Sequence, residues 1–358
     1  MRRSWQRALL VPLAAIATAA EPFDWRLSPG FPRPPVPDHA PMSAAKVELG
    51  RHLFHDTRLS VNGKQSCASC HRQELAFTDG RARAEGATGE LHPRSSMSLV
   101  NVAYAPALTW ADPKLDSLER QALIPLLGIE PVELGLRGVE ERVLQDLQRH
   151  PVYQRLFAAA FPGVDKPFCL ENVTKALAAF QRTIISTRSL YDRYRYGGDE
   201  SALSPAAKRG ELLFFSGEKA GCFQCHGGWN FSGPLRFEGG PAVEPEFHNT
   251  GLYERYPAPN TGLERHTGDA RDAGKFRAPT LRNIALTAPY MHDGSVATLE
   301  EAIEHYSKGG RAAANRNKSP ILRPFRLTAE EKADLIEFLR SLTDEELLKD
   351  PRWSSPWR

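Results

Sequence analysis

A chain of 358 residues, 41% apolar and 25% charged, is long enough for two domains with cores of useful size. Its formal charge is only +3, with acids and bases interspersed and no basic run, which excludes the electrostatic footprint of a nucleic-acid binder. Beyond the N-terminus no stretch is long and apolar enough to be expected as a transmembrane segment.

The chain begins MRRSWQRALLVPLAAIATAA. Arg2, Arg3 and Arg7 precede a short apolar stretch and the small residues Ala17-Thr18-Ala19, the pattern of a cleavable signal peptide over residues 1–20. The apolar stretch is too short to span a bilayer, so the expectation is export to the periplasm. A Pro-rich segment, residues 28–41, reads as extended and irregular. SAAKVELGRHLF (43–54) reads as a helix capped by Ser43, with Val47, Leu49, Leu53 and Phe54 at helical spacing. A polar loop then leads to SCASCH, which holds Cys67, Cys70 and His71.

Helical patterns follow in VEERVLQDLQRH (139–150) and LENVTKALAAFQRTIIS (170–186), with Cys169 expected as a plain buried thiol before the second. The plan then repeats. SPAAKRGELLFF (204–215) matches the first helix, Gly210-x-x-Leu213-Phe214 answering Gly50-x-x-Leu53-Phe54. GCFQCHGG follows, with Cys222, Cys225 and His226, and TLRNIALTAP (280–289) answers SLVNVAYAP (98–106). Residues 228–276, rich in Gly, Pro, Asn and Arg, read as long loops. TLEEAIEHYS (298–307) and TAEEKADLIEFLRSL (328–342) read as helices, each opened by a capping box, Thr298 with Glu301 and Thr328 with Glu331. Alternating strand patterns are nearly absent. The expected fold is all-α: two cytochrome c-like haem domains related by duplication, with long irregular loops, over residues 21–200 and 201–358.

The duplicated C-x-x-C-H carries the cofactor assignment. Two thiols can form thioether bonds to one haem, and the adjacent His then lies under the iron as proximal ligand. Zinc would want two ligand pairs grouped into one cage, and a thioredoxin-like redox pair would want a βαβ context. Two covalently attached haem c groups are expected, with His71 and His226 as iron ligands. Four of the five cysteines are thereby used, so no disulfide is expected.

WADPKLDSLERQALIPLLGIEPVELG (110–135), FRAPTLRNIALTAPYMHDGS (276–295) and TLEEAIEHY (298–306) resemble the di-haem cytochrome c peroxidase and MauG superfamily, nearest its MbnH-type members. The resemblance implies a peroxide-reactive first haem, with Glu133 as distal acid–base, Gln121 as distal amide, Pro125 beside them and Trp110 between the haems. Glu130 is the alternate to Glu133. A carboxyl can carry a proton between the peroxide oxygens, and an amide can hold one of them by hydrogen bonding.

The classical peroxidases place a methionine fourteen residues after the His of H-D-G; counted from His292, that position is Tyr306, as in MauG-like enzymes. A hard phenolate favours high-valent iron where a thioether favours ferrous. The resemblance therefore implies a second haem that stores an oxidising equivalent, so that peroxide yields a high-valent two-haem state. Met291 as ligand, and Tyr306 as plain core, remain the alternatives. The resemblance also implies a calcium ion on the carbonyls of Thr287 and Pro289, although Ser95 follows Arg94 where the family has asparagine. MauG's exit tryptophan is replaced by Ala220, and Trp229 is a candidate substitute. The expected substrate pair is hydrogen peroxide and a small exported partner protein, oxidised at tryptophan. The alternatives are a peroxidase drawing electrons from a small cytochrome or copper protein, and a non-enzymatic two-haem carrier.

Overall fold

The computed structural model describes residues 23–357; the signal-peptide expectation lies outside the described residues. The chain is helical: α1 (Ala44–Phe54), α2 (Cys67–Cys70), α3 (Leu118–Leu127), α4 (Glu140–Arg149), α5 (Pro151–Ala160), α6 (Leu170–Arg182), α7 (Leu190–Arg195), α8 (Pro205–Phe215), α9 (Glu264–Thr267), α10 (Leu299–Ser307) and α11 (Ala329–Ser341). Two antiparallel two-residue strands, β1 (Phe247–His248) and β2 (Phe276–Arg277), are the regular strands among the described residues. Short 3₁₀ turns and long loops fill the rest, as the sequence leads one to expect.

The helix ends follow their caps. Ser43, Ser204, Thr298 and Thr328 each accept the backbone N–H three residues on. Thr328 and Glu331 close a reciprocal box, whereas Glu301 turns instead to the Ala297 N–H. Helix α6 stops at Arg182, earlier than its apolar pattern, because Thr183 and Ile184 turn to follow a 3₁₀ path.

The duplication is visible in the packing. Helix α1 crosses α6, and α8 crosses α11, so closely that no side chain fits at the crossing. A Cβ on Gly50 would stand 1.9 Å from Ala176 O; one on Gly210 would stand 2.0 Å from Asp334 O. One turn on, Phe54 meets Phe180 at 5.0 Å between centroids, and Phe214 meets Phe338 at 5.2 Å. The asparagine loops repeat too. Asn101 and Asn283 both take left-handed backbone, both are buried, and each uses its own N–H and Oδ1 to hold the chain leaving α6 or α11.

Two apolar clusters result, one around Leu53, Phe54 and Phe180, the other around Phe214, Phe231 and Phe338. The chain crosses between them. Tyr191 of α7 belongs to the second cluster, while Leu347 and Trp353, far downstream, belong to the first. Two buried bidentate ion pairs lock the frame: Arg182 on Glu119, at 2.7 and 3.0 Å, and Arg282 on Asp192, at 2.7 and 2.9 Å.

Candidate di-haem site

The two C-x-x-C-H segments sit on short helical turns that end at the histidine. In the first, Ser66 and Ser69 cap α2 reciprocally, and His71 Nδ1 lies 2.9 Å from Phe77 O. In the second, His226 Nδ1 lies 3.0 Å from Phe231 O and 3.1 Å from Pro279 O. Phe77 and Phe231 are both buried and both hold positive φ, 60° and 52°, a cost for an aromatic residue that aims its carbonyl at the imidazole. With Nδ1–H given to a carbonyl, Nε2 is the nitrogen left free to bind a metal. Burial depresses both imidazoles, His226 to about 4, so both are neutral and competent as ligands.

The thiols argue against other uses of the motif. Burial pushes Cys67 and Cys222 up to about 12 and Cys70 and Cys225 to about 11. Reactive dithiols are shifted the opposite way. Among the described residues no three His, Cys, Asp or Glu side chains converge as a metal cage requires. Cys169 is a partly buried thiol preceding α6.

A cavity of about 280 Å³ opens on the second motif and is lined by Cys222, Cys225, His226 and Tyr306. Its remaining wall is largely apolar, from Leu281, Ile284, Ile303, Leu335 and Leu339. Arg277 lines it as well and meets only the carbonyls of Thr109 and Ala278 and the sulfur of Met97. Burial holds its guanidinium down to about 10. A largely apolar slot with the C-x-x-C-H thiols and imidazole on one wall and the buried Arg277 on another fits a haem, whose propionates would complement that cation. Arg277 carried no role in the sequence reading; a lone Arg in a loop gives no signal until its surroundings are known.

Tyr306 reaches the cavity from α10, on the same face as Leu299 and Ile303, which also line the cavity and belong to the second cluster. Burial raises its phenol, and the Cys225 and Cys222 thiols add to the rise, so the ring stands close to the haem motif. Met291 lines the same cavity. Thr287, Pro289 and Ser95 line it too, and the Ser95 hydroxyl donates to Met291 O at 3.3 Å.

On the first motif's side, Gln121 and Pro125 lie one turn apart on α3. The following loop folds back onto that helix: Leu134 N donates to Pro125 O at 2.8 Å and Leu136 N to Leu126 O at 2.8 Å. Glu133 is thereby brought beside Pro125, and its charge reaches the Cys67 and Cys70 thiols. Its side chain is 37% exposed, yet burial pushes the carboxyl up to about 7. Glu130, by contrast, is exposed. His92, which the sequence did not single out, stands with Nε2 3.9 Å from Glu133 Oε1 while Nδ1 accepts the Arg94 N–H.

Trp110 sits where the halves meet. Its indole N–H donates to Ser95 O at 3.2 Å, its carbonyl accepts the Arg277 N–H at 2.8 Å, and its ring faces His292 edge-on at 6.5 Å. Trp229 is half-buried. Tyr104 and Phe31 abut it, and the buried Arg282 guanidinium, paired with Asp192, lies 5.5 Å from its ring centroid.

Residues 44–201 match the family model described as di-haem cytochrome c peroxidase. A cytochrome-c peroxidase of Denitromonas iodatirespirans is 38% identical, the alignment covering 98% of this chain and 96% of that protein. The methylamine utilization protein MauG of Methylorubrum extorquens is 36% identical, over 92% of this chain and 88% of that one. Among solved structures, a MauG-like protein associated with microbial copper homeostasis superposes with a TM-score of 0.91 at 47% identity, covering 94% of this chain and 100% of that one. The paired haem motifs, the duplicated helix crossings and these relatives lead to one conclusion: the chain belongs to the di-haem cytochrome c peroxidase family that includes MauG, and is a haem-dependent oxidoreductase acting on peroxide.

Proposed function

We propose that the protein uses hydrogen peroxide to oxidise a small exported partner protein at tryptophan, in the manner of the MauG-like enzymes. The observation that carries this reading is Tyr306, a phenol rather than a thioether, lining the cavity of the second haem motif together with His226. In this reading the haems are held by thioethers at Cys67, Cys70, Cys222 and Cys225, His71 and His226 are proximal ligands, and Tyr306 is the second ligand of the C-terminal iron. When bound, the two haems supply the iron that accepts the two oxidising equivalents of one peroxide. Attachment of this kind suits a mature chain residing in the periplasm. A calcium ion on the carbonyls of Thr287 and Pro289 completes the reading, since hard cations take oxygen donors.

The protein's own residues do the rest. Glu133 takes the proton from the inner peroxide oxygen and delivers it to the outer one, which leaves as water. Gln121 holds the oxygen by its amide, and Pro125 shapes the wall beside it. Trp110, in contact with both halves, passes electrons between the sites. Two electrons and two protons drawn from the partner return the enzyme to rest and release the second water.

One equivalent of peroxide added to the fully oxidised haem-loaded protein tests this. The expected result is an immediate spectral change at both haems without prior reduction, followed by a mass change at a partner tryptophan. A requirement for half-reduction, with consumption of a reduced cytochrome, would establish the scavenging peroxidase instead. Y306M is expected to raise the second haem's potential, on the order of hundreds of millivolts within the roughly 0.8 V that axial ligands span, and to abolish the direct reaction.

A further inference from the structure

A second aromatic route leaves Trp110 and ends at the surface on a phenol with its own proton acceptor. His292 lies 6.5 Å from Trp110 and stacks on Phe276 at 3.8 Å and 15°. Tyr256 packs against both, at 6.0 Å from His292 and 5.9 Å from Phe276. Tyr253 meets Tyr256 edge-on at 5.5 Å. The Tyr253 hydroxyl then donates to Asp293 Oδ2 at 2.5 Å. Tyr253 and Asp293 are both half-exposed, and the exposed Glu254 and Ser295 lie beside them. His292 and Phe276 are buried, and Trp110 and Tyr256 are half-buried like Tyr253; Tyr253, bonded to Asp293 and flanked by the exposed Glu254, is the outer end of the series.

The geometry points to Tyr253 as a redox-active exit residue: it gives one electron inward through Tyr256 and its phenolic proton to Asp293, becoming a neutral tyrosyl radical at the surface. This rests on the proposed reading that the oxidised enzyme holds its equivalents long enough to pass them on. The balance is complete. The oxidant is the peroxide-oxidised enzyme, the electron goes to it, the O–H bond breaks, and the proton ends on the carboxylate. An oxidised phenol is a very strong acid, so a phenol without a base at hand is a poor hole carrier, and one hydrogen-bonded to a carboxylate is a good one. Asp293 is suited to the part. Burial pushes its carboxyl up, but the hydrogen bonds from the Tyr253 hydroxyl and the Ser295 N–H outweigh that, so it is an anion ready to accept. Trp229 has no carboxylate on its ring; the group over it is the Arg282 guanidinium. The group this face would oxidise is an electron-rich side chain, a phenol or an indole, of a partner docked over Tyr253.

The test uses the haem-loaded full-length protein without partner, treated with one equivalent of peroxide and frozen at intervals for electron paramagnetic resonance. Wild type is expected to show a tyrosyl signal, with dityrosine-linked dimers on standing. Y253F should lose the signal and the dimers, and its peroxide-induced haem spectrum should persist about tenfold longer. D293N should keep Tyr253 but lower the radical yield. Y196F, which removes a half-exposed tyrosine on a different part of the surface, should match wild type. A normal haem response with the same radical and decay in Y253F would overturn this inference and leave the proposed function standing. No haem response in wild type would overturn the proposed function itself.

Discussion

At the scale of single residues, Glu133 is the group whose chemistry is most exposed to measurement. Its carboxyl sits near 7 because burial disfavours the charge. A proton acceptor must be deprotonated, so the rate of reaction with peroxide should rise with pH through a step near 7 and fall below it as the carboxyl protonates. E133Q should slow that reaction by about 100-fold or more and remove the step, measured by stopped-flow absorbance across pH. His92 is neutral, its imidazole pushed down to about 4 by burial and then by Arg94. It therefore contributes no competing titration near 7. The residue types at this site were legible, because E-P-V-E-L-G and S-L-E-R-Q are readable strings. The sequence reading took Glu133, with Glu130 as alternate, but could not show the loop that folds back onto α3 through bonds from Leu134 and Leu136 and leaves Glu130 exposed.

At the scale of elements, the two helix crossings explain why glycine stands at positions 50 and 210. Each is the contact point of a helix pair, and each would bring a Cβ within about 2 Å of a facing carbonyl oxygen. Overpacking of this kind costs about 3 kcal/mol where the backbone must shift. G50A and G210A should each lose about that much stability in urea denaturation of the haem-loaded protein, while G217A, which meets nothing within 4 Å, should be near neutral. The sequence displayed both glycines in matching frames, so the repeat was readable. Their partners were not, because α6 and α11 carry no motif linking them to α1 and α8, only compatible apolar faces. Helices α5 and α7 also went unread, α7 because six residues give too little periodicity to register.

At the scale of the whole molecule, the C-terminal tail ties the second half back to the first. Trp353 is 3% exposed in the first apolar cluster and donates to Thr183 Oγ1 at 3.1 Å; Trp357 donates to His52 O at 3.1 Å; Arg51 reaches the carbonyls of Pro351 and Ser354. W353A should cost about 3–5 kcal/mol through the cavity it leaves. Because the tail bridges both halves, denaturant unfolding followed at each haem should shift together rather than at one site alone.

The sequence by itself displayed the repeat: two C-x-x-C-H motifs, each in the same frame after a Gly-x-x-Leu-Phe helix, point to two haem sites from spacing alone. It also fixed most helix ends, since a cap acts over three or four residues and is written locally. Only the tertiary structure folded the Glu133 loop back onto Pro125, set Arg277 in the cavity wall, packed Trp229 beside Arg282, and led an aromatic series out to Tyr253 and Asp293. Those pairings join loops separated by tens to hundreds of residues, and no local rule of spacing or propensity carries information over that distance; it is settled by which apolar faces can close on one another.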